Sequence, residues 1–158
     1  PTLPEVRELL RASPILSSLR DEDLDVLAHA SQVVRFAVGE LMLDSRVPSR
    51  DLLVVAEGRA QLIFTDHATA DEAIGEIVAG DLVDLVTTVP RDGRNVALRA
   101  ITDCQVVVVD PDVLGEVGSR NAEVAEAFNR MSAIRRRRIE RLTPLSPPAT
   151  ADVEPEAS

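Results

Sequence analysis

Apolar residues recur at helical spacing at both ends of the chain, whereas short apolar runs separated by turn signals lie between them. Near the N-terminus the spacing predicts two amphipathic helices, over residues 4–12 and 21–30. Asp21 is placed to cap the second helix. The residues predicted to face the core are Val6, Leu9 and Leu10 in the first helix and Leu24, Leu27 and Ala28 in the second.

Helical spacing returns after Pro111. Asp110 can cap a helix that begins at Pro111, since proline is favoured in the first turn. A longer helix is predicted over residues 121–142. Its apolar side is predicted to hold Val124, Phe128, Met131 and Ile134, with Ile139 as a further member.

Short apolar runs predict β-strands in the middle of the chain. The runs span residues 33–36, 41–43, 51–56, 59–65, 72–78, 95–101 and 104–109. Gly39 can adopt the positive φ of a tight turn between the first two runs. Glu57-Gly58 favours a hairpin between the third and the fourth. About eight short strands at this spacing predict a β-sandwich or barrel with helices packed at one end.

The changes of pattern divide the chain into four segments. Residues 1–31 form the N-terminal helices, 32–110 the strands and 111–142 the C-terminal helices. Residues 143–158 are rich in Pro, Ala, Ser and acidic residues, and this composition predicts a disordered tail.

The composition is acidic and poor in aromatic residues. The net charge of −10 at pH 7 disfavours general binding to phosphate backbones. Aromatic residues make up only 2% of the chain, which leaves little for stacking on bases. Cys104 is the single cysteine and lies in an apolar run, so we expect a buried thiol that forms no internal disulfide.

The sequence shows no targeting signal. No apolar run reaches the roughly 18 residues that a membrane-spanning helix needs, and the first residues lack a signal-peptide pattern. We expect a cytoplasmic protein, or the cytoplasmic part of a membrane protein.

Residues 80–100 carry a resemblance to a known family. They read GDLVDLVTTVPRDGRNVALRA, which resembles the phosphate-binding cassette of cyclic nucleotide-binding domains, the family of catabolite-activator proteins and protein kinase A regulatory subunits. The family pattern is roughly G-D-x-F-G-E-x-A-L followed by R-x-A-T-V-x-A, and residues 94–100 fall on its second part. Further resemblances follow in family order at 9–16, 36–40, 54–60 and 101–104.

The resemblance covers residues 5–142 and implies a fold. It implies a mainly β domain, a double-stranded β-helix of the jelly-roll type, over residues 32–110. Helices would flank this β-roll on the N-terminal and C-terminal sides.

The resemblance also implies a ligand site. In the family, backbone N–H groups and an arginine hold the cyclic phosphate, and a glutamate accepts from the ribose 2′-hydroxyl. Arg94 falls on that arginine. The family's F-G-E falls on Val83, Asp84 and Leu85, so an acidic side chain replaces the glycine and the ribose acceptor is missing.

Other family positions also differ. Asn95 follows the arginine, and the family's A-T falls on Val96 and Ala97, so a threonine hydroxyl is lost. The glycines of the loop between the second and third strands fall on Arg46 and Ser49. Each lost hydrogen bond costs about 1 kcal/mol, so several together weaken binding by orders of magnitude. A shifted backbone could let Asp84 supply the missing acceptor.

Two functional hypotheses remain open. The first is a regulatory domain that senses cAMP, cGMP or a related anionic ligand and relays it through the C-terminal helices to a fused or partner protein. The second is a degenerate module that has lost nucleotide binding and serves oligomerisation or docking through residues 121–142. A calorimetric titration with both nucleotides, with an Arg94→Ala control, separates the two.

The sequence indicates neither catalysis nor DNA binding. His29 and His67 are isolated, and no catalytic or metal-ligating constellation accompanies them, so we expect neither an enzyme nor a metal site. Residues 143–158 are rich in proline and show no helical spacing, so we expect no recognition helix within them. The basic cluster of residues 135–138 with Arg141 fits a membrane, nucleic acid or an acidic partner. We favour a solvated helix end, where cations stabilise the helix dipole.

Overall fold

The computed structural model describes residues 1–65 and 72–142. Helices α1 (Leu3–Leu10) and α2 (Asp21–His29) come first. The strands are β1 (Ser31–Phe36), β2 (Leu41–Asp44), β3 (Leu52–Glu57), β4 (Arg59–Phe64), β5 (Glu72–Val78), β6 (Leu82–Asp84), β7 (Val96–Ala100) and β8 (Cys104–Val109). Helices α3 (Pro111–Ser119) and α4 (Ala122–Leu142) follow. The tail predicted to be disordered, 143–158, lies outside the described residues.

The strands form two antiparallel sheets of four strands each. The first sheet has the order β1-β8-β3-β6 and the second the order β2-β7-β4-β5. They do not close into a barrel. The predicted jelly-roll-like β-roll with flanking helices is confirmed.

Two apolar clusters hold the layers together. In the first, which we call the inner cluster, alternate side chains of the two sheets face each other. Its members include Leu53, Val55, Leu62, Phe64, Val83, Leu85, Val96 and Leu98. In the second, the outer face of the first sheet packs against the helices. That outer cluster includes Leu10, Leu24, Leu27, Leu52, Leu82, Val107 and Val124.

The hairpin predicted at Glu57-Gly58 is wrong. Strand β3 pairs with β6 and β8, whereas β4 pairs with β5 and β7, so the chain crosses there from one sheet to the other. Gly58 has a φ of +102°, and a Cβ on it would lie 2.8 Å from the Cys104 sulfur. A turn dipeptide does not specify which strand its neighbour joins, so the sequence could not distinguish a hairpin from a crossing between sheets.

Of the two helix N-caps predicted from the sequence, one is confirmed and the other is wrong. Asp110 caps α3, accepting from the Asp112 backbone N–H at 2.8 Å as predicted. The cap predicted at Asp21 is wrong, because Arg20 occupies that position. Asp21 is instead the first residue of α2 and pairs with Arg11.

The apolar face of α4 differs from the prediction at one residue. Ile134 is 54% exposed, whereas Ile139 is buried at 2%. At 3.6 residues per turn, the face that begins with Val124 and Met131 continues through positions 135 and 139. Arg135 therefore takes the place on this face that Ile134 was expected to hold.

The thiol of Cys104 is buried, as predicted. The residue is 3% exposed, and its Sγ lies 3.3 Å from the carbonyl oxygens of Arg59 and Thr102. Burial raises the pKa of this thiol.

Candidate functional site

The cassette is built from β6 and one helical turn that follows it. The Leu85 carbonyl accepts from the backbone N–H groups of Thr88 and Val89, both at 3.0 Å. At the start of this turn, Asp84 Oδ1 accepts from the backbone N–H of Thr87 at 3.0 Å and from its hydroxyl at 2.7 Å. The carboxylate that replaces the family's glycine thus caps the turn with an acceptor from the chain itself.

Val83, Asp84 and Leu85 do not share a face. Val83 and Leu85 are 0% and 7% exposed and belong to the inner cluster, where the Leu85 side chain offers no hydrogen-bond acceptor. Asp84 lies on the opposite side of the sheet, in a cleft that Leu52 and α4 also line. This orientation follows from the alternation of side chains along β6.

Arg94 lies against an aromatic side chain of the roll. Its guanidinium carbon is 3.9 Å from the centroid of the Phe64 ring, a distance at which the cation and the ring attract each other. Its backbone N–H donates to Asp92 Oδ1 at 3.0 Å. Phe64 belongs to the inner cluster together with Leu85 and Val96, so Arg94 lies on the wall that carries those residues.

The residues after Arg94 brace the roll. Asn95 Oδ1 accepts from the Ser45 hydroxyl at 3.1 Å, and Ser45 Oγ accepts from the Val96 backbone N–H at 2.9 Å. Val96 faces the inner cluster. Ala97, also fully buried, follows it on β7 and therefore points to the opposite face.

The structure thus brings together part of the predicted site. Val83, Leu85 and Val96 meet in the inner cluster, and Arg94 lies on the Phe64 ring of the same cluster. Asp84 and Ala97 point away from it.

Sequence reasoning missed the part that α4 plays in the site. Ile139, near the end of α4, is buried in the inner cluster with Leu85 and Val96. Arg136 donates from Nη2 to the Val86 carbonyl at 2.7 Å and from Nη1 to the Val89 carbonyl at 3.3 Å. These carbonyls lie in the cassette turn, so α4 is attached to the cassette directly.

Arg135 and Glu140 add two further contacts. Arg135 Nη1 donates to the Leu82 carbonyl at 2.8 Å. Burial lowers the pKa of Arg135, against the opposing effects of the Asp81 and Asp84 carboxylates. Glu140 Oε2 lies 3.0 Å from Arg91 Nε, on the far side of the cassette turn.

The basic cluster is therefore divided. The interpretation as a solvated helix end is wrong for Arg135 and Arg136, because both donate to backbone carbonyls of the roll. It holds for the other three arginines, Arg137, Arg138 and Arg141, which are exposed. A sequence signal for the contact existed in the spacing of Met131, Arg135 and Ile139, which places all three on one helix face.

The described residues lack two further kinds of feature, a metal-binding cluster and a membrane-spanning helix. In residues 1–65 and 72–142, no group of three or more His, Cys, Asp or Glu side chains could hold a metal ion. None of the described helices combines the length and the apolar character needed to cross a membrane.

Solved structures share this architecture over most of the chain. The sensor domain of the transcriptional regulator DNR from Pseudomonas aeruginosa matches with a TM-score of 0.67 and 14% identity, covering 91% of this chain and 97% of that one. The regulatory domain of Toxoplasma gondii protein kinase A, crystallised with cAMP, matches with a TM-score of 0.64 and 14% identity, covering 83% and 50%. This is the cyclic nucleotide-binding fold.

A third structure with the cyclic nucleotide-binding fold is the regulatory subunit of a protein kinase A from Trypanosoma brucei that is described as cAMP-independent. It matches with a TM-score of 0.62 and 20% identity, covering 83% of this chain and 48% of that one. The chain spans about half the length of the two kinase regulatory structures. No protein-family model and no curated protein sequence matches it.

Proposed function

We propose that the chain is a regulatory module with the cyclic nucleotide-binding fold in which α4 closes the roll without a nucleotide. The observation that carries this proposal is the position of Ile139. Its side chain is 2% exposed and packs in the inner cluster with Leu85, the residue at the family's ribose position.

The residues around Leu85 disfavour nucleotide binding. A ribose hydroxyl placed against this leucine would lose its acceptor, which costs about 1–3 kcal/mol. The inner cluster around it is apolar and already contains Ile139. A nucleotide would therefore have to displace a buried side chain and leave its own hydroxyl unpaired.

The cassette turn is also already capped. Asp84 supplies its own carboxylate to the Thr87 N–H and hydroxyl. The Thr87 N–H, which could otherwise donate to a phosphate, is therefore already used by the chain itself.

The output of such a module is the position of α4. The helix is held on the roll by Ile139 and by hydrogen bonds from Arg135 and Arg136. Its other face, with Ile134, Arg137 and Arg141, is exposed and available to a fused or partner protein. A partner that prefers one position of α4 would shift the population between attached and detached states.

A second candidate function is nucleotide sensing in which the ligand displaces Ile139. Arg94 favours it, because this residue stands at the position of the family's phosphate arginine and is held on the wall of the roll by Phe64. Binding would then compete with the closure by α4.

Calorimetric titration with cAMP and cGMP tests both candidates. We expect no saturable heat at ligand concentrations up to about 1 mM for the wild-type chain, a threshold near 4 kcal/mol of binding free energy. Ile139→Ala removes the side chain that fills the inner cluster, and Ile134→Ala is its exposed control. Saturable binding that Ile139→Ala strengthens and Arg94→Ala abolishes would replace the first candidate with the second.

A further inference from the structure

We propose that the cleft between the first sheet and the α3–α4 pair binds a small, neutral, mainly apolar molecule that carries one hydrogen-bond donor. This cleft lies outside the inner cluster, on the opposite face of the first sheet. Leu52 and Leu82 form its floor, and Leu114 and Phe128 are among its walls. Its volume is about 410 Å³, within the usual range for small-molecule sites. The proposal goes beyond the proposed function and requires no nucleotide.

Two glycines of α3 open this cleft. Gly115 and Gly118 are three residues apart on one face of the helix, and both line the cleft. A glycine inside a helix destabilises the helix relative to alanine. The two glycines therefore weaken α3, a helix of only nine residues, at the positions that border the cleft.

Neither glycine is required by close packing or by backbone conformation. A Cβ added at Gly115 would meet nothing within 4 Å, and one at Gly118 would only make an ordinary contact with Ala125 Cβ at 3.8 Å. Neither has a positive φ. What the two glycines do provide is open space, because Gly115 lines the cleft and a Cβ on it would meet no other atom within 4 Å.

The polar lining determines the chemistry of the ligand. Asp84 lines the cleft and uses only Oδ1 in its bonds to Thr87; its Oδ2 has no hydrogen-bond partner among the described residues. A donor on the ligand can therefore bond to this oxygen. Ser119 and Asn129 are the other polar side chains of the lining.

The ligand is expected to be neutral. An anion would be repelled by Asp84, whereas a cation would be disfavoured by the nearby charge of Arg135, which interacts with that carboxylate. Ionised groups are also costly to place against the apolar walls. A hydroxyl or a non-basic N–H, such as that of a diarylamine, on an apolar body satisfies these constraints.

Binding of N-phenyl-1-naphthylamine, a neutral aromatic amine with one N–H donor, tests the proposal. Its fluorescence increases in apolar surroundings, and the chain contains no Trp or Tyr to interfere. We expect saturable binding at one site per chain. Gly115→Leu, which adds a large side chain to the lining of the cleft, should weaken this binding by at least about tenfold, because the leucine and the probe would compete for the same space.

Control variants distinguish binding of the probe in the cleft from binding elsewhere on the molecule. Glu116→Leu adds the same side chain at the exposed neighbouring residue, outside the cleft lining, and should leave the affinity unchanged. Gly115→Ala stabilises α3 and should weaken binding by a smaller factor, so it serves if the leucine variant does not fold.

Two results would overturn the proposal. One is the absence of saturable binding by the wild-type chain. The other is equal affinity in the wild type and in a folded Gly115→Leu or Gly115→Ala variant. Neither result bears on the closure of the roll by α4, which the cyclic nucleotide titrations examine separately.

Discussion

Gly58 and Gly39 both have a positive φ, but their surroundings differ. A Cβ at Gly58 would clash with the Asp103 carbonyl and would lie 2.9 Å from the Cys104 Cα, because the chain crosses between sheets at this point. A Cβ at Gly39, whose φ is +90°, would meet nothing within 4 Å. The first glycine is required by both conformation and space, and the second by conformation alone.

We therefore expect Gly58→Ala to destabilise the chain much more than Gly39→Ala. The alanine at residue 39 costs about 1 kcal/mol of backbone strain, whereas the one at residue 58 adds a clash with backbone atoms and should exceed about 3 kcal/mol. Urea unfolding followed by far-ultraviolet circular dichroism measures both. Equal losses in the two variants would show that the crossing at Gly58 is less tightly packed than described.

At the same scale, the pattern of the cassette predicted which residues lie near Arg94 but not the direction of each side chain. Counting along the sequence placed Val83, Asp84 and Leu85 at one site. The alternation of β6 separates them, since Asp84 faces the helices while the other two face the inner cluster. Strand β6 is only three residues long. Its pairing with β3 decides which of its side chains face the inner cluster, and the sequence did not reveal that pairing.

Among the elements, α2 is attached to the junction of α3 and α4 through one buried carboxylate. Asp23 is 4% exposed and accepts from Arg120 Nη2 and Asn121 Nδ2, each at 3.2 Å. Burial alone would raise its pKa, but the hydrogen bonds from Asn121 and Arg120 outweigh that effect and lower the pKa below 3.8. The ionised form is therefore the one that the folded chain prefers.

This preference predicts a pH dependence. Because the folded-state pKa is depressed, the stabilisation by Asp23 is fully present above its ordinary pKa and is lost as the pH falls through the folded-state value. Asp23→Asn should reduce the free energy of unfolding by about 1–2 kcal/mol near pH 6, and the difference from wild type should shrink towards pH 3. Urea titrations across this range measure the difference.

An exposed residue on the same helix provides the control. Glu22→Gln should change the free energy of unfolding by less than about 0.5 kcal/mol at pH 6. A constant difference between Asp23→Asn and wild type from pH 6 to pH 3 would contradict the assigned role of the carboxylate.

The elements themselves were largely predictable, because most have a strong local signal. The helices and seven of the strands follow from apolar spacing, and Asp110 marks the start of α3. Strand β6 has only three residues and no such signal. The placement of β3 and β4 in different sheets also had no local signal. It depends on the pairing of β3 with β8, which is distant in sequence.

For the whole molecule, the closure by α4 joins the end of the described chain to the interior of the roll. Ile139 reaches the inner cluster, while Arg135 and Arg136 bond to backbone carbonyls around the cassette. The sequence did not reveal this closure, because four consecutive arginines favour solvent and only the fold shows which two of them find carbonyl partners.

We expect Ile139→Ala to detach the end of α4 from the roll. Loss of this buried side chain should reduce the free energy of unfolding by about 2–4 kcal/mol. Amide hydrogen exchange in the last turns of α4 should accelerate, since the arginine contacts alone leave the helix free to open.

Ile134→Ala is the matched control, because Ile134 lies on the same helix and is 54% exposed. It should change the stability by less than about 0.5 kcal/mol and leave exchange in α4 as in the wild type. Similar effects of the two alanine variants would contradict the closure.

The buried thiol of Cys104 has a practical consequence for observing such movements. It is the only sulfhydryl in the chain and lies at the start of β8, where the two sheets meet through Gly58. Burial suppresses the thiolate, the form that reacts with alkylating reagents. The rate at which iodoacetamide labels the native chain therefore reports how often the two sheets separate at this corner, without an introduced probe.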